Sequence, residues 1–138
     1  MMKIALVAHD NMKKTMVGFC IAYEEILKKY KIYATGTTGK IVMDETGLEI
    51  ERLASGPLGG DQQIGSLIVN QEIDLVIFLR DPLTSQAHET DIQALIRLCD
   101  VYYVPIATNL ASAEIFIKAL DRGEFSFREV RKTTSQRV

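Results

Sequence analysis

The sequence lacks several features that would place it at once. Its 138 residues carry a formal net charge of only −2 and a sequence pI near 5.7, so nothing draws the whole molecule toward nucleic acid or an anionic membrane. No apolar run is long enough to span a bilayer, and residues 1–8 read as a strand-like core segment, not a signal peptide. There are two cysteines, Cys20 and Cys99, each inside an apolar helical pattern. That pattern reads as buried, reduced thiols of a cytoplasmic protein, without a disulfide framework. The two histidines, His9 and His88, lie far apart, and no Cys/His cluster has zinc spacing, so no protein-ligated transition metal is expected. A binder of small anions with this composition needs a local positive site.

What is present suffices for one core. The chain is 47% hydrophobic and 25% charged, ordinary for a single globular domain of this length. "KIALVA" at 3–8 and "IDLVIFL" at 73–79 read as buried strands, with shorter ones in "KIYA", "LEIERLA" and "YYVPIATN". Between them lie helical patterns. Residues 12–29 show an apolar stripe of Met16, Phe19, Cys20, Tyr23, Ile26 and Leu27. "KIVMDETG" reads as a helix closed by Gly47, and "GDQQIGSLIVNQ", "IQALIRLCD" and "SAEIFIKALDRG" complete the set, with Asp91 as the cap of the third. Alternating strands and helices predict an α/β fold, a three-layer αβα sandwich around a parallel sheet. One domain over 1–132 and a frayed tail over 133–138 are expected. Right-handed crossovers then gather the polar strand ends on one sheet edge: His9-Asp10, Thr35–Gly39, Ser55–Asp61, Arg80–Asp91 and Thr108-Asn109.

Each of these segments has a plain reading when taken alone. "TGTTG" offers the hydroxyls of Thr35, Thr37 and Thr38 beside Gly36 at a helix mouth, as an anion site or as an ordinary Thr-capped turn. It matches neither the Walker pattern nor the dinucleotide fingerprint. "AHDNMK" gives His9, Asp10 and Lys13; singly these are a satisfied histidine, a helix cap and a surface lysine. "SGPLGGDQQ" puts Ser55 and Gly56 where a backbone can wrap a ligand, and Asp61 at a helix start, where a cap is again the plain role. "HETD" adds His88 and Asp91. Together on one edge they supply donors for a phosphate, a histidine, and up to three carboxylates. That set suits chemistry on a small phosphorylated carbonyl compound. A carboxylate removes a proton next to the carbonyl, and a neutral histidine polarises the oxygen that gains charge, a division of labour known from triosephosphate isomerase.

Taken in order from about residue 3 to residue 132, "ALVAHD", "YATGTTG", "SGPLGGDQQIG", "FLRDPL", "HETD" and "VPIATN" strongly resemble the methylglyoxal synthase family. The resemblance implies a flavodoxin-like three-layer fold and conversion of dihydroxyacetone phosphate to methylglyoxal and inorganic phosphate, without metal or organic cofactor. It further implies a cytoplasmic homohexamer that phosphate inhibits allosterically, acting in the methylglyoxal bypass of glycolysis. By position, Asp61 matches the family's catalytic base, His88 the histidine at the substrate oxygens, and Asp91 and Asp10 the accessory carboxylates. His9 matches a substrate-contacting histidine, and Lys13, Thr35, Gly36, Thr37, Thr38, Ser55 and Gly56 match the phosphate cradle. Thr90 departs from the family's usual proline, which predicts a slightly less rigid His88 loop. The same fold resembles the regulatory domain of carbamoyl phosphate synthetase and the cyclohydrolase domain of purine synthesis. Neither of those is expected to combine "SGPLGGDQQ" with "HETD".

Overall fold

The structure is a computed structural model, described over residues 1–125. Its sheet has five strands: β1 Lys3–Ala8, β2 Lys31–Ala34, β3 Glu51–Arg52, β4 Leu75–Leu79 and β5 Ile106–Ala107. Neighbours pair in the order β3-β2-β1-β4-β5, and every pairing is parallel. The three-layer parallel architecture is the expected one, although its strand order differs from the 2-1-3-4-5 of flavodoxin itself. The order reverses between β1 and β4. A crevice at that switch point, outside the carboxyl ends of the strands, is where sheets of this kind bind ligands.

Strict alternation along β1 and β4 divides the core in two. Ile4, Leu6, Ala8, Leu75, Ile77 and Leu79 face one layer, made by α1 (Lys13–Ala22), α2 (Glu24–Leu27), α3 (Gly36–Glu45) and α6 (Leu110–Asp121). Ala5, Val7, Val76 and Phe78 face the other, made by α4 (Gly60–Val69) and α5 (Glu89–Val101). Every residue of β4 is buried, which accounts for its unbroken apolar run: a strand covered on both faces has no polar side to show. Cys20 and Cys99 are buried and unlinked, and burial pushes both thiols up to about 12.

Four expectations are corrected. The helix foreseen over 12–29 breaks at Tyr23, whose dihedrals (φ −114°, ψ 23°) leave the helical range while its ring tilts against Phe19. The apolar stripe survives the break, since Met16, Phe19, Cys20 and Leu27 are all buried. "TGTTG" is the cap and first turn of α3 instead of a separate turn, because Thr35 is extended and Gly39 N–H already bonds back to its carbonyl at 2.8 Å. Gly36 is there for close packing: a Cβ would lie 3.2 Å from the backbone of both Leu53 and Ser55. The strands read in "LEIERLA" and "YYVPIATN" shrink to two paired residues each, as they lie at the sheet's edges. Asp91 does not cap a helix; α5 begins earlier, and His88 occupies the cap position with backbone bonds alone. The tail expected over 133–138 falls outside the described residues.

Ile77 lies at the centre of this arrangement, in register with Leu6 and Ala107 and fully buried. Ile77→Ala is expected to cost about 2–5 kcal/mol, read as a lowered urea midpoint at unchanged slope.

Candidate active site

The site is built outward from the loop between β3 and α4. Gly59 adopts φ 106°, a left-handed conformation that lets the chain reverse after the 3-10 turn Gly56–Leu58. Gly60 then packs so closely that a Cβ would sit 2.1 Å from the Ala54 carbonyl oxygen, so no other residue fits. Ser55 carbonyl accepts from Leu58 and Gly60 N–H at 3.0 and 2.9 Å, and Gln63 Oε1 accepts from Ala54 N–H at 2.7 Å. This cinched loop turns the next side chain, Asp61, inward.

Asp61 is 2% exposed, and its Oδ2 lies 3.4 Å from His88 Nε2. Gly56 makes room for the pair, because a Cβ there would meet His88 Nε2 at 2.9 Å and Asp61 Oδ1 at 3.5 Å. Beyond His88 stands His9, edge to face with it at 6.2 Å between ring centroids and with Phe78 at 5.2 Å. His9 Nδ1 accepts a hydrogen bond from Asp81 N–H at 2.9 Å. Among the described residues, four buried side-chain polar atoms have no hydrogen-bond partner: His9 Nε2, both Asp61 oxygens and His88 Nδ1. Buried polar groups in folded proteins are normally satisfied. That all four exceptions fall on three neighbouring side chains marks this as the place built for a ligand.

The electrostatics agree. Burial raises the Asp61 carboxyl above its ordinary range, His88 opposes the rise and the Asp91 charge adds to it. Burial lowers the His9 imidazole, helped by His88 and Arg80, which favours its neutral form. Asp91 lies in the first turn of α5, where its Oδ1 accepts from Gln62 Nε2 at 3.1 Å. A crevice of about 190 Å³ between α4 and α5 is lined by Asp61, Gln62 and Asp91. A larger concavity, about 650 Å³, lies beside Met1, Lys28, Lys31 and Glu49 and touches none of these residues.

The cradle residues converge on the end of β1. Lys13 Nζ donates to the Ala8 carbonyl at 3.0 Å, and Thr38 Oγ1 donates to the same oxygen at 3.4 Å. Thr35 caps α3 from a buried position, and Gly36 N–H bonds the Ala54 carbonyl at 3.2 Å, which draws Ser55 alongside. Two expected members stand apart. Thr37 is exposed, and the Asp10 carboxylate, 96% exposed, binds Lys13 at 2.8 Å instead of joining Asp61. That bond holds the Asp10 carboxyl below its ordinary range. Neither Asp10 nor Asp61 is a helix cap, since His9 and Gly59 occupy those positions. Thr90 is an exposed residue of the first turn of α5. Reading single segments passed over Asn11, Gln62, Gln63 and Asp81, which hold functional side chains in place. Their signals in the sequence are "AHDNMK", "GGDQQ" and "FLRDPL".

A family model described as an MGS-like domain matches residues 15–108. The chain is 86% identical over 137 residues to "Methylglyoxal synthase" of Clostridioides difficile strain 630, covering 99% of this chain and 100% of that one. The chain belongs to the methylglyoxal synthase family. Identity to the methylglyoxal synthase of Bacillus subtilis strain 168 is 62% over 129 residues, 94% of each chain. The crystal structure of methylglyoxal synthase from Elizabethkingia anophelis NUHP1 superposes with TM-score 0.80 at 46% identity, over 84% of this chain and 76% of that one. Identity over 99% of the chain to a methylglyoxal synthase favours that family over the sensing and cyclohydrolase alternatives.

In this member of the methylglyoxal synthase family, the raised Asp61 carboxyl has a consequence for stability. The native state holds that proton more tightly than the unfolded chain does, so the contribution is fully present below the unfolded value of 3.8 and is lost as pH rises through the higher native one. Asp61→Asn is therefore expected to melt above the parent protein at neutral pH, with the gap closing as pH falls toward the ordinary carboxylate range. Thermal melts across mildly acid to neutral pH check this. A gap independent of pH would show that the Asp61 charge is not the destabilising element.

Proposed function

We propose that the protein is a methylglyoxal synthase, a carbon-oxygen lyase that eliminates inorganic phosphate from dihydroxyacetone phosphate. The observation that carries the reading is the cluster of partnerless buried groups on Asp61, His88 and His9 in a chain of this family. Asp61 takes a proton from the hydroxymethyl carbon; its raised proton affinity makes it a stronger base than an ordinary aspartate. The electron pair moves onto the carbonyl oxygen as the enediolate forms, where imidazole N–H donors of His88 and His9 meet the growing charge. Asp91 and Asp10 act as accessory carboxylates, Asp10 through its hold on Lys13. The enediolate electrons then expel the bridging oxygen with the phosphate. As the C–O bond breaks, the terminal hydroxyl becomes the aldehyde and its proton leaves with the phosphate; the enolate that remains takes back the Asp61 proton on its methylene carbon to become methylglyoxal.

Elimination requires the bridging C–O bond to lie out of the enediolate plane, where it overlaps the π system. Lys13, Thr35, Gly36, Thr38, Ser55 and Gly56 form the grip that sets this torsion and stabilises the leaving phosphate. The shared anchor of Lys13 and Thr38 on the Ala8 carbonyl supports a fixed grip. Family membership supports the wider reading: a cytoplasmic homohexamer, working without a cofactor in the methylglyoxal bypass of glycolysis and inhibited allosterically by phosphate. Among the described residues, no helix is long and apolar enough to cross a membrane, and no group of acidic, histidine or cysteine side chains could hold a metal.

Purified protein given dihydroxyacetone phosphate is expected to release methylglyoxal and phosphate in equal amounts; absence of both would overturn the reading. Asp61→Asn should lower kcat on the order of 10²–10⁴-fold with the fold intact. Lys13→Ala should lower kcat as well as raise KM. A change in KM alone would reduce the grip to uniform binding and remove its role in the torsion.

A further inference from the structure

A pair of residues outside the expected site controls which proton His9 can offer. A main-chain N–H only donates. The 2.9 Å bond from Asp81 N–H to His9 Nδ1 therefore requires a bare Nδ1, and places the proton of the neutral ring on Nε2. His9 is 6% exposed, and Nε2 is among the buried atoms without a partner. The ring thus carries one free donor, on the side away from Asp81.

The donor N–H is itself held. Asp81 stands two residues after the end of β4, and its carboxylate is tied on both oxygens. Oδ1 accepts from Leu83 N–H at 3.0 Å, and Oδ2 accepts from Asn11 Nδ2 at 2.8 Å. Asn11 sits two residues after His9, in the 3-10 turn that follows β1. The Asn11–Asp81 bond therefore spans the switch point, fastening the loop after β4 to the turn after β1. Both ends of the clamp lie beside the ring they orient.

We infer that Asn11 and Asp81 are positioning residues that lock His9 in its Nε2–H tautomer and aim that proton into the site. Neither touches the reacting atoms; each acts through His9. The charged and titratable groups around His9 are His88, Arg80, Asp81 and Glu89. The kinetic part of the inference rests on the lyase reading above, whereas the tautomer does not.

The test is a long-range ¹H–¹⁵N NMR experiment on uniformly labelled protein. The chain has only two histidines, and a His88→Gln sample identifies the His9 ring. The wild type should show His9 with a bare Nδ1 and a protonated Nε2. Asn11→Ala and Asp81→Ala should mix the tautomers and lower kcat about ten-fold with KM changed less than about two-fold, since misplacement acts on the transition state. The double variant should be no worse than the poorer single one, because the two act as one clamp. A protonated Nδ1 in the wild type overturns the inference without any variant. So does an unmixed tautomer, or kcat within about two-fold of wild type, in folded Asn11→Ala. If wild type forms no methylglyoxal, the lyase reading falls, and the tautomer spectra of wild type and Asn11→Ala still decide the clamp.

Discussion

The pairing of β1 with β4 is the constraint on which everything else rests. It sets Ala8 opposite Leu79, so the residues that leave the sheet next, His9 on one side and Arg80-Asp81 on the other, are forced together where the strand order reverses. The Asp81–His9 bond and the Asn11–Asp81 clamp are consequences of that register. A slip of β4 by one residue would send Leu75, Ile77 and Leu79 to the opposite layer as well as separating His9 from Asp81. The apolar core and the polar site therefore enforce one another. Hydrophobic burial specifies the register, and the register delivers the chemistry.

The site also shows how a fold keeps groups that it does not satisfy. A carboxylate at 2% exposure with no hydrogen bond of its own is a local cost. It persists because its backbone is over-determined: Gly59 reverses, Gly60 admits no Cβ, and Gln63 closes the loop on Ala54. His88 stands 3.4 Å away, close enough to moderate the charge without neutralising it by a formed bond. Unmet polarity gathers where chemistry is expected, and the surrounding core supplies the stability that tolerates it.

Much of this was legible in the sequence. The αβα class, the buried β4 run and the sheet edge carrying the site follow from periodicity and from punctuation by Gly, Asn and Asp. The grouping of Asp61 with His88, and of Lys13 with Thr38, follows from strand ends meeting at one edge. Other features depend on tertiary contact, which spacing does not encode. The short edges of β3 and β5 reflect how far neighbouring strands reach. The start of α3 inside "TGTTG" reflects its packing against Leu53 and Ser55. Asp10 faces outward, where it pairs with Lys13, a partner that spacing alone did not single out. The holding residues Asn11, Gln62 and Gln63 stayed hidden for a related reason. Amides serve equally on any surface, and only their partners reveal the task.

The carbonyl of Ala8 accepts from both Lys13 and Thr38. The ammonium group and the hydroxyl are thus measured from one peptide oxygen, contributed by a residue whose own side chain lies in the core. No side-chain substitution can delete that reference point. Drift at position 8 is then free to adjust packing under the sheet, while the spacing of the two donors is inherited from the backbone. The part of the grip most resistant to mutation is the part that has no side-chain identity at all.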